Sequence, residues 1–276
     1  MDLLFEPGPF LCLDKVTIFF EDKICNNPVS IEVRMYFLLG IDDTDSPMSG
    51  DVSSAVSNTA TLALTLGNQL ESTGLARLLN ISCHQLFEHP SIDHTSTNTA
   101  YCILLDSDPQ KMRDIDMTTR LTLRSQSAAT SNPGYALAAW NQLDPEVVAW
   151  GKSAQISVMQ RMDAINLARR SGIAIAGITG SGAGVIGALS AVGLRYDGND
   201  GTIYWMPGLE KLHGVFTQIE INQFIQFESI ESVRHKHPAL DDRIQFNADI
   251  KPVLKEGRIV LQVKPAERGS SHEWQT

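Results

Sequence analysis

"GIAIAGITGSGAGVIGALSAVGL", residues 172–194, decides between two kinds of protein. It carries no charge, is long enough to span a bilayer, and is flanked by Arg169, Arg170 and Arg195. Against a membrane helix stand its seven glycines and its few large aliphatic side chains. The central "TGSGAG" reads as a loop, which divides the stretch into a buried strand "IAIAGIT", a turn "GSG" and a helix "AGVIGALSAVG" closed by Gly193. Strand, glycine turn and helix together make an α/β unit.

Upstream, "DPEVVAWGKSAQISVMQRMDAINLARRSG" predicts one or two helices stopped by Gly172, with Arg169 and Arg170 in the last turn. "FLLGIDDTDSPMSGD", residues 37–51, runs from a buried strand into Gly40 and an acidic loop. "VSSAVSNTATLALTLGNQLE" then predicts a helix, with Val56, Ala60, Ala63, Leu64 and Leu70 near one face. "LLNISCHQLF" and "STNTAYCILLD" are strands on either side of the loop "EHPSIDHT". After "RYDGNDGTIYWMPGL" the segments "GVFTQIEINQF", "DDRIQFNADIKPVL" and "GRIVLQVKP" are β-like, with Glu256-Gly257 as a hairpin turn and the tail "AERGSSHEWQT" frayed.

The expected fold class is therefore α/β (α+β). A mixed sheet of ferredoxin-like character carries packed helices, and its core comes from residues 35–80 and 130–210. Residues 1–34 form an extension with a candidate strand "KVTIFF", and a non-native start is one reading of it. The functional domain spans 35–210, and 211–276 is a smaller β-rich portion.

Hydrophobic residues at 43% and charged residues at 20% of 276 describe an ordinary globular chain. A net charge of -10 argues against a basic coat for gripping nucleic acid, while leaving room for one basic pocket. Cys12, Cys25, Cys83 and Cys102 show no C-x-x-C spacing, so free thiols in a reducing cytoplasm are expected. The Met1-Asp2 start, with Glu6, lacks the positive leader of a signal peptide.

Three segments carry candidate chemistry. Asp42, Asp43 and Asp45 crowd three carboxylates at a strand end, which is costly unless a cation sits among them. Mg²⁺ uses one or two carboxylates and fills its octahedron with water or phosphate, and Thr44 and Ser46 can add hydroxyls. The same "DDTDS" is also good turn and N-cap material. It is no EF-hand, because the fifth position from Asp43 is Pro47 and no glycine follows it.

Gly182, Gly184 and Gly187 satisfy G-x-G-x-x-G between a strand and a helix, where backbone N–H groups bind phosphate. Close packing of a helix on a sheet explains the glycines equally. For a dinucleotide site, Asp197 and Asp200 lie nearer than the usual twenty positions. No Gly-Lys-Ser/Thr ends the run, and Ser181 lacks the flanking glycines of a nucleophile elbow. In "CHQLFEHPSIDHTSTNTA", Cys83, His84, His89 and His94 match no structural zinc spacing. Its Thr95–Thr99 cluster offers donors and acceptors for ribose, base or phosphate, or is simply an edge strand.

These segments, in this order, resemble the kinase-like domain of the TiaS family, archaeal enzymes that use ATP to attach agmatine to a cytidine of an isoleucine transfer RNA. "GIDDTDS" (residues 40–46) is similar to the family's opening motif. "RLLNIS" leading to "HTSTNTA" is similar to its Arg-Leu-Asn-Pro and Thr-Arg-Gly-Asn stretches, "SNPGYAL" to its Asn-Pro-Gly turn, and "GSGAGVIGALSAVG" to its glycine-rich helix start. Short bacterial relatives share "HQL", a later proline and "TS.N", seen here from His84 to Asn98.

The resemblance implies Mg and ATP as cofactors. Asp42, Asp43 and Asp45 would be metal ligands and catalytic residues, backbone donors would sit at Gly180, Gly182 and Gly184, and Thr95 and Asn98 would orient nucleotide or acceptor. Where the family carries a phosphorylated threonine in a Cys-Thr-Thr stretch, this chain reads "DVSS", so Ser53 or Ser54 would have to serve. Zinc-ribbon cysteines are missing, so transfer RNA is not expected as a partner. The expectation is a cytoplasmic, Mg-dependent phosphotransferase or ATP hydrolase on a small or nucleotide-like acceptor, with no membrane partner and with a homodimer compatible. A non-catalytic nucleotide sensor and an NAD-dependent oxidoreductase are the alternatives.

Overall fold

The computed structural model describes residues 16–17, 32–45, 58–92, 98–232, 236–247, 250–267 and 269–276. In chain order the strands and helices are β1 (Val16–Thr17), β2 (Glu32–Val33), β3 (Met35–Asp42), α1 (Thr59–Ser72), β4 (Arg77–Gln85), β5 (Thr99–Ser107), α2 (Met112–Gln126) and β6 (Gly134–Ala139). They continue with α3 (Pro145–Ala154), α4 (Arg161–Arg170), β7 (Ala174–Gly177), α5 (Val185–Asp197), β8 (Thr202–Trp205), β9 (Gly214–Thr217), α6 (Gln218–Ile221) and β10 (Ser229–Ser232). The last four are β11 (Arg243–Phe246), β12 (Val253–Lys255), β13 (Arg258–Pro265) and β14 (Trp274–Gln275).

Strand β3 is apolar on both sides because both sides are covered. Phe37, Leu39 and Ile41 join the core under α1 and α2, whereas Leu38 joins the one under α5. Each such side chain contributes about 1.5–3 kcal/mol on burial. Gly40 faces α5 so closely that a Cβ would lie 2.0 Å from the carbonyl oxygen of Ala188. Helix α1 buries Leu62, Leu66 and Leu70 at helical spacing, and Asn58 caps it by accepting the Thr61 N–H at 2.8 Å.

The sheet order around β3 is β7-β6-β3-β5-β4-β8, with antiparallel pairing between all neighbours. Within it, β3-α1-β4-β5-α2-β6 in the spatial order β6-β3-β5-β4 is the ferredoxin-like arrangement. The mixed α/β expectation holds. Residues 99–126, left out of the expected core, supply the central strand β5 and the helix α2.

Strand β8 carries the hydrogen bonding onward to β12, β13, β14, β11 and β9, with β10 pairing β13 in parallel. These C-terminal strands enclose an apolar cluster that includes Leu212, Ile221, Ile244 and Leu261. Arg34, the last residue of the extension, donates to the Asp106 carboxylate of β5 at 3.0 Å.

Several local expectations change. Helix α5 runs past Gly193 to Asp197 and is closed by Gly198 at φ 69. Gly193 serves packing instead, since a Cβ there would lie 2.1 Å from the Val147 carbonyl oxygen of α3. "GVFTQIEINQF" is not all strand, because Thr217 and Glu220 form a capping box that opens α6. The tail is not frayed at its end: β14 pairs with β11 and β13, and Trp274 Nε1 donates to Asp242 at 2.8 Å. Glu256 at φ 52 and Gly257 at φ 74 make the expected two-residue hairpin between β12 and β13.

Candidate functional site

The end of β3, the start of β5, Asn132 ahead of β6 and the first turns of α1 and α5 line a cleft of about 370 Å³, together with the segment after α3. Asp42, Asp43 and Asp45 form one wall, and Ser181, Ala183 and Gly184 of the glycine turn form another. Both segments thus open on one space at the end of the sheet.

Asp42 is the last residue of β3, and its Oδ1 accepts the N–H of Asp43 at 2.8 Å. Its Oδ2 lies against α5, where a Cβ on Gly187 would come within 2.0 Å of it. Desolvation there, with the neighbouring charges of Asp43 and Asp45, pushes the Asp42 carboxyl well above the usual carboxylate range. Asp43 holds a left-handed φ of 55, uncommon for a residue with a Cβ. The buried Thr44 hydroxyl donates to Thr59 Oγ1 at 3.0 Å, and the Thr59 hydroxyl donates to Asp45 Oδ1 at 2.8 Å. A crowded carboxylate pushed toward its protonated form is a group that a cation would stabilise.

Among the described residues no three His, Cys, Asp or Glu side chains are grouped so that they could hold a metal ion. Asp42, Asp43 and Asp45 therefore do not converge as the expected three-carboxylate ligand set, and at most one or two of them would serve a Mg²⁺ ion. Such an ion needs no set of three, because water and phosphate oxygens fill most of its shell.

The glycine turn is built by close approach. A Cβ on Gly184 would lie 2.6 Å from both the Asp42 carbonyl oxygen and the Gly134 nitrogen. Gly180 and Gly182 take positive φ values of 57 and 64. Their expected role as donors changes in detail. The Gly182 N–H donates to the Thr179 carbonyl at 3.1 Å and the Gly184 N–H to the Asn132 carbonyl at 2.9 Å. Neither Gly180 nor Gly182 lines the cleft; Ala183 does, and among the described residues its N–H has no protein acceptor. Helix α5 has no side-chain cap and no acidic residue in its first turn, so its positive end is left to the cleft.

Asn98 lines the cleft, with Nδ2 held by the Phe87 carbonyl at 2.7 Å. Ser46, Ser53 and Thr95 lie outside the described residues. Cleft residues that the sequence reading passed over are Asn58, Thr59, Tyr101 and Asn132. Asn58 stands directly before an apolar-periodic helix and Asn132 directly before Pro133-Gly134, and those were the available signals.

Of the zinc candidates, Cys83 and His84 are adjacent on β4 and point to opposite faces, and His94 lies outside the described residues. Fully buried His84 is satisfied by Ser82 Oγ at 2.8 Å and Asp200 Oδ2 at 3.1 Å. The dinucleotide reading lacks its context, since β7 pairs antiparallel with β6 and not within a parallel βαβ unit. Asp197 bonds Lys152 at 2.8 Å, and Asp200 bonds His84 and Gln155.

No family model and no curated protein matches the chain. Solved structures similar to it include TiaS in complex with an isoleucine tRNA, AMPCPP and agmatine, at 24% identity and a TM-score of 0.47. TiaS in complex with the same tRNA and ATP, and a tRNA fluorescent labelling enzyme, are similar at 24% identity and TM-scores of 0.49. Each similarity covers 58% of this chain and 36% of the other, so the chain spans little more than a third of these proteins.

Proposed function

We propose that the cleft binds ATP with Mg²⁺ and that the chain is a phosphotransferase or ATP hydrolase acting on a small or nucleotide-like acceptor. The observation that carries this reading is the meeting of the acidic loop and the open start of α5 in one cleft. The motif resemblance in "GIDDTDS" and "GSGAGVIGALSAVG" supplies the identity of the nucleotide as ATP.

In this reading one or two of Asp42, Asp43 and Asp45 hold the ion, with water and phosphate oxygens completing its shell. Bound Mg²⁺ would neutralise charge developing on the phosphoryl oxygens. The Ala183 amide and the α5 dipole face the polyphosphate from the other wall. Thr59 fixes Asp45 through its hydroxyl, which keeps that carboxylate from rotating away. Asn98, which lines the cleft, orients the acceptor or nucleotide in this reading.

Incubation of the purified chain with Mg²⁺ and ATP tests the proposal. Release of phosphate or pyrophosphate, abolished in Asp43→Ala, is the expected result. The "DVSS" stretch, in place of the family's threonine, favours a second reading as a nucleotide sensor, for which ATP would bind without turnover. Affinity for NAD with none for ATP would overturn both.

A further inference from the structure

Asn132 sits between the two walls of the cleft, and both of its carbonyl groups serve the glycine turn. Its side-chain Oδ1 accepts the Ser181 N–H at 2.8 Å and the Ser181 hydroxyl at 2.9 Å. Its backbone oxygen accepts the Gly184 N–H at 2.9 Å, directly before α5. The fit is close enough that a Cβ on Gly180 would come 2.4 Å from Oδ1. A backbone N–H can only donate, so the Ser181 bond fixes which end of the carboxamide faces the turn. What Asn132 has left for a ligand is therefore its Nδ2, a donor, on a residue that lines the cleft.

We infer that Asn132 is a phosphate-contacting residue: Oδ1 shapes the turn, and Nδ2 donates to an anionic oxygen of the bound nucleotide. The inference rests on the nucleotide reading and extends it to a residue outside the acidic loop. A neutral donor suits this position. Three carboxylates already line the cleft, and a further negative charge would repel the phosphates rather than seat them.

Replacement by aspartate separates the two roles. Asn132→Asp is nearly isosteric and keeps an acceptor oxygen for Ser181, but exchanges the donor for a charged acceptor. Asn132→Ala removes both. Binding of ATP and of adenosine, each with Mg²⁺, is measured by calorimetry on the full chain, beside thermal unfolding without nucleotide. The expected result for Asn132→Asp is ATP affinity lower by about ten- to hundredfold, with adenosine changed less than about twofold and the unfolding midpoint near wild type. Asn132→Ala should lose as much ATP affinity and also melt earlier. An aspartate variant that binds ATP like wild type overturns the inference, as does an equal loss for ATP and adenosine. A wild-type chain that binds neither ligand overturns the nucleotide reading itself, and this inference with it.

Discussion

At the scale of single residues, Asp42 holds a buried carboxyl that the fold alone does not favour in its charged form. Its carboxyl is pushed up by desolvation and by the charges of Asp43 and Asp45, so ionising it without a cation lowers stability at pH values above its ordinary 3.8. Asp42→Asn keeps an oxygen for the Asp43 N–H and removes that charge. Its melting temperature without metal at neutral pH should exceed wild type, while Mg-dependent ATP binding is lost; calorimetry reads both. His84 acts with the opposite sign. Burial holds its imidazole below the ordinary 6.5 despite the bond to Asp200, so the folded state resists protonation, and stability falls as pH drops from 6.5 toward the lowered value. Acidification thus strengthens the fold through Asp42 and weakens it through His84. Urea unfolding of wild type and His84→Gln at pH 7.5 and 5.5 should show the variant losing less stability on acidification. The acidic cluster was legible from residue types alone. The buried setting of Asp42 was not, because it is created by Gly187, a residue 145 positions away in the chain.

At the scale of elements, α5 is positioned by glycines on both partners. Gly40 of β3 and Gly187 of α5 each leave room for a neighbour that a Cβ would meet at 2.0 Å, but the neighbours differ. At Gly40 the obstacle is the backbone of α5, which cannot yield without lifting the helix. Gly40→Ala should lower the unfolding free energy by about 1–3 kcal/mol or more in urea titration. At Gly187 the obstacle is the Asp42 carboxylate, the end of a side chain that can swing. Gly187→Ala should remain folded, helped by the better helix propensity of alanine, and lose Mg-dependent ATP binding in the same calorimetric assay. Most elements were legible from periodicity, including the strand–turn–helix of residues 174–197. The end of α5 was not, since Gly193 and Gly198 look alike in sequence and only the contact with Val147 shows which one packs and which one stops the helix. The final strand was hidden for a related reason. "EWQT" has no apolar run, and its pairing depends on β11 and β13 presenting free edges at the right place.

At the scale of the whole molecule, the ferredoxin-like order sends β3 and β4 to end, and β5 and β6 to begin, at one end of the sheet. Helix α1 covers one face and α5 the other, and both start at that end, so two positive helix termini and three carboxylates meet there. Strand order was the part least readable in the sequence. Antiparallel pairing is set by crossovers and by which faces are covered, not by the composition of each strand. The expectation of ferredoxin-like character holds in the order β6-β3-β5-β4. The most direct test is a crystal structure of the chain with Mg²⁺ and a non-hydrolysable ATP analogue. The account predicts an ion bridging the Asp42–Asp45 loop to the phosphates, with phosphate oxygens within hydrogen-bond reach of the Ala183 amide. A nucleotide bound elsewhere, or one in the cleft with its phosphates turned away from the aspartates, would contradict it.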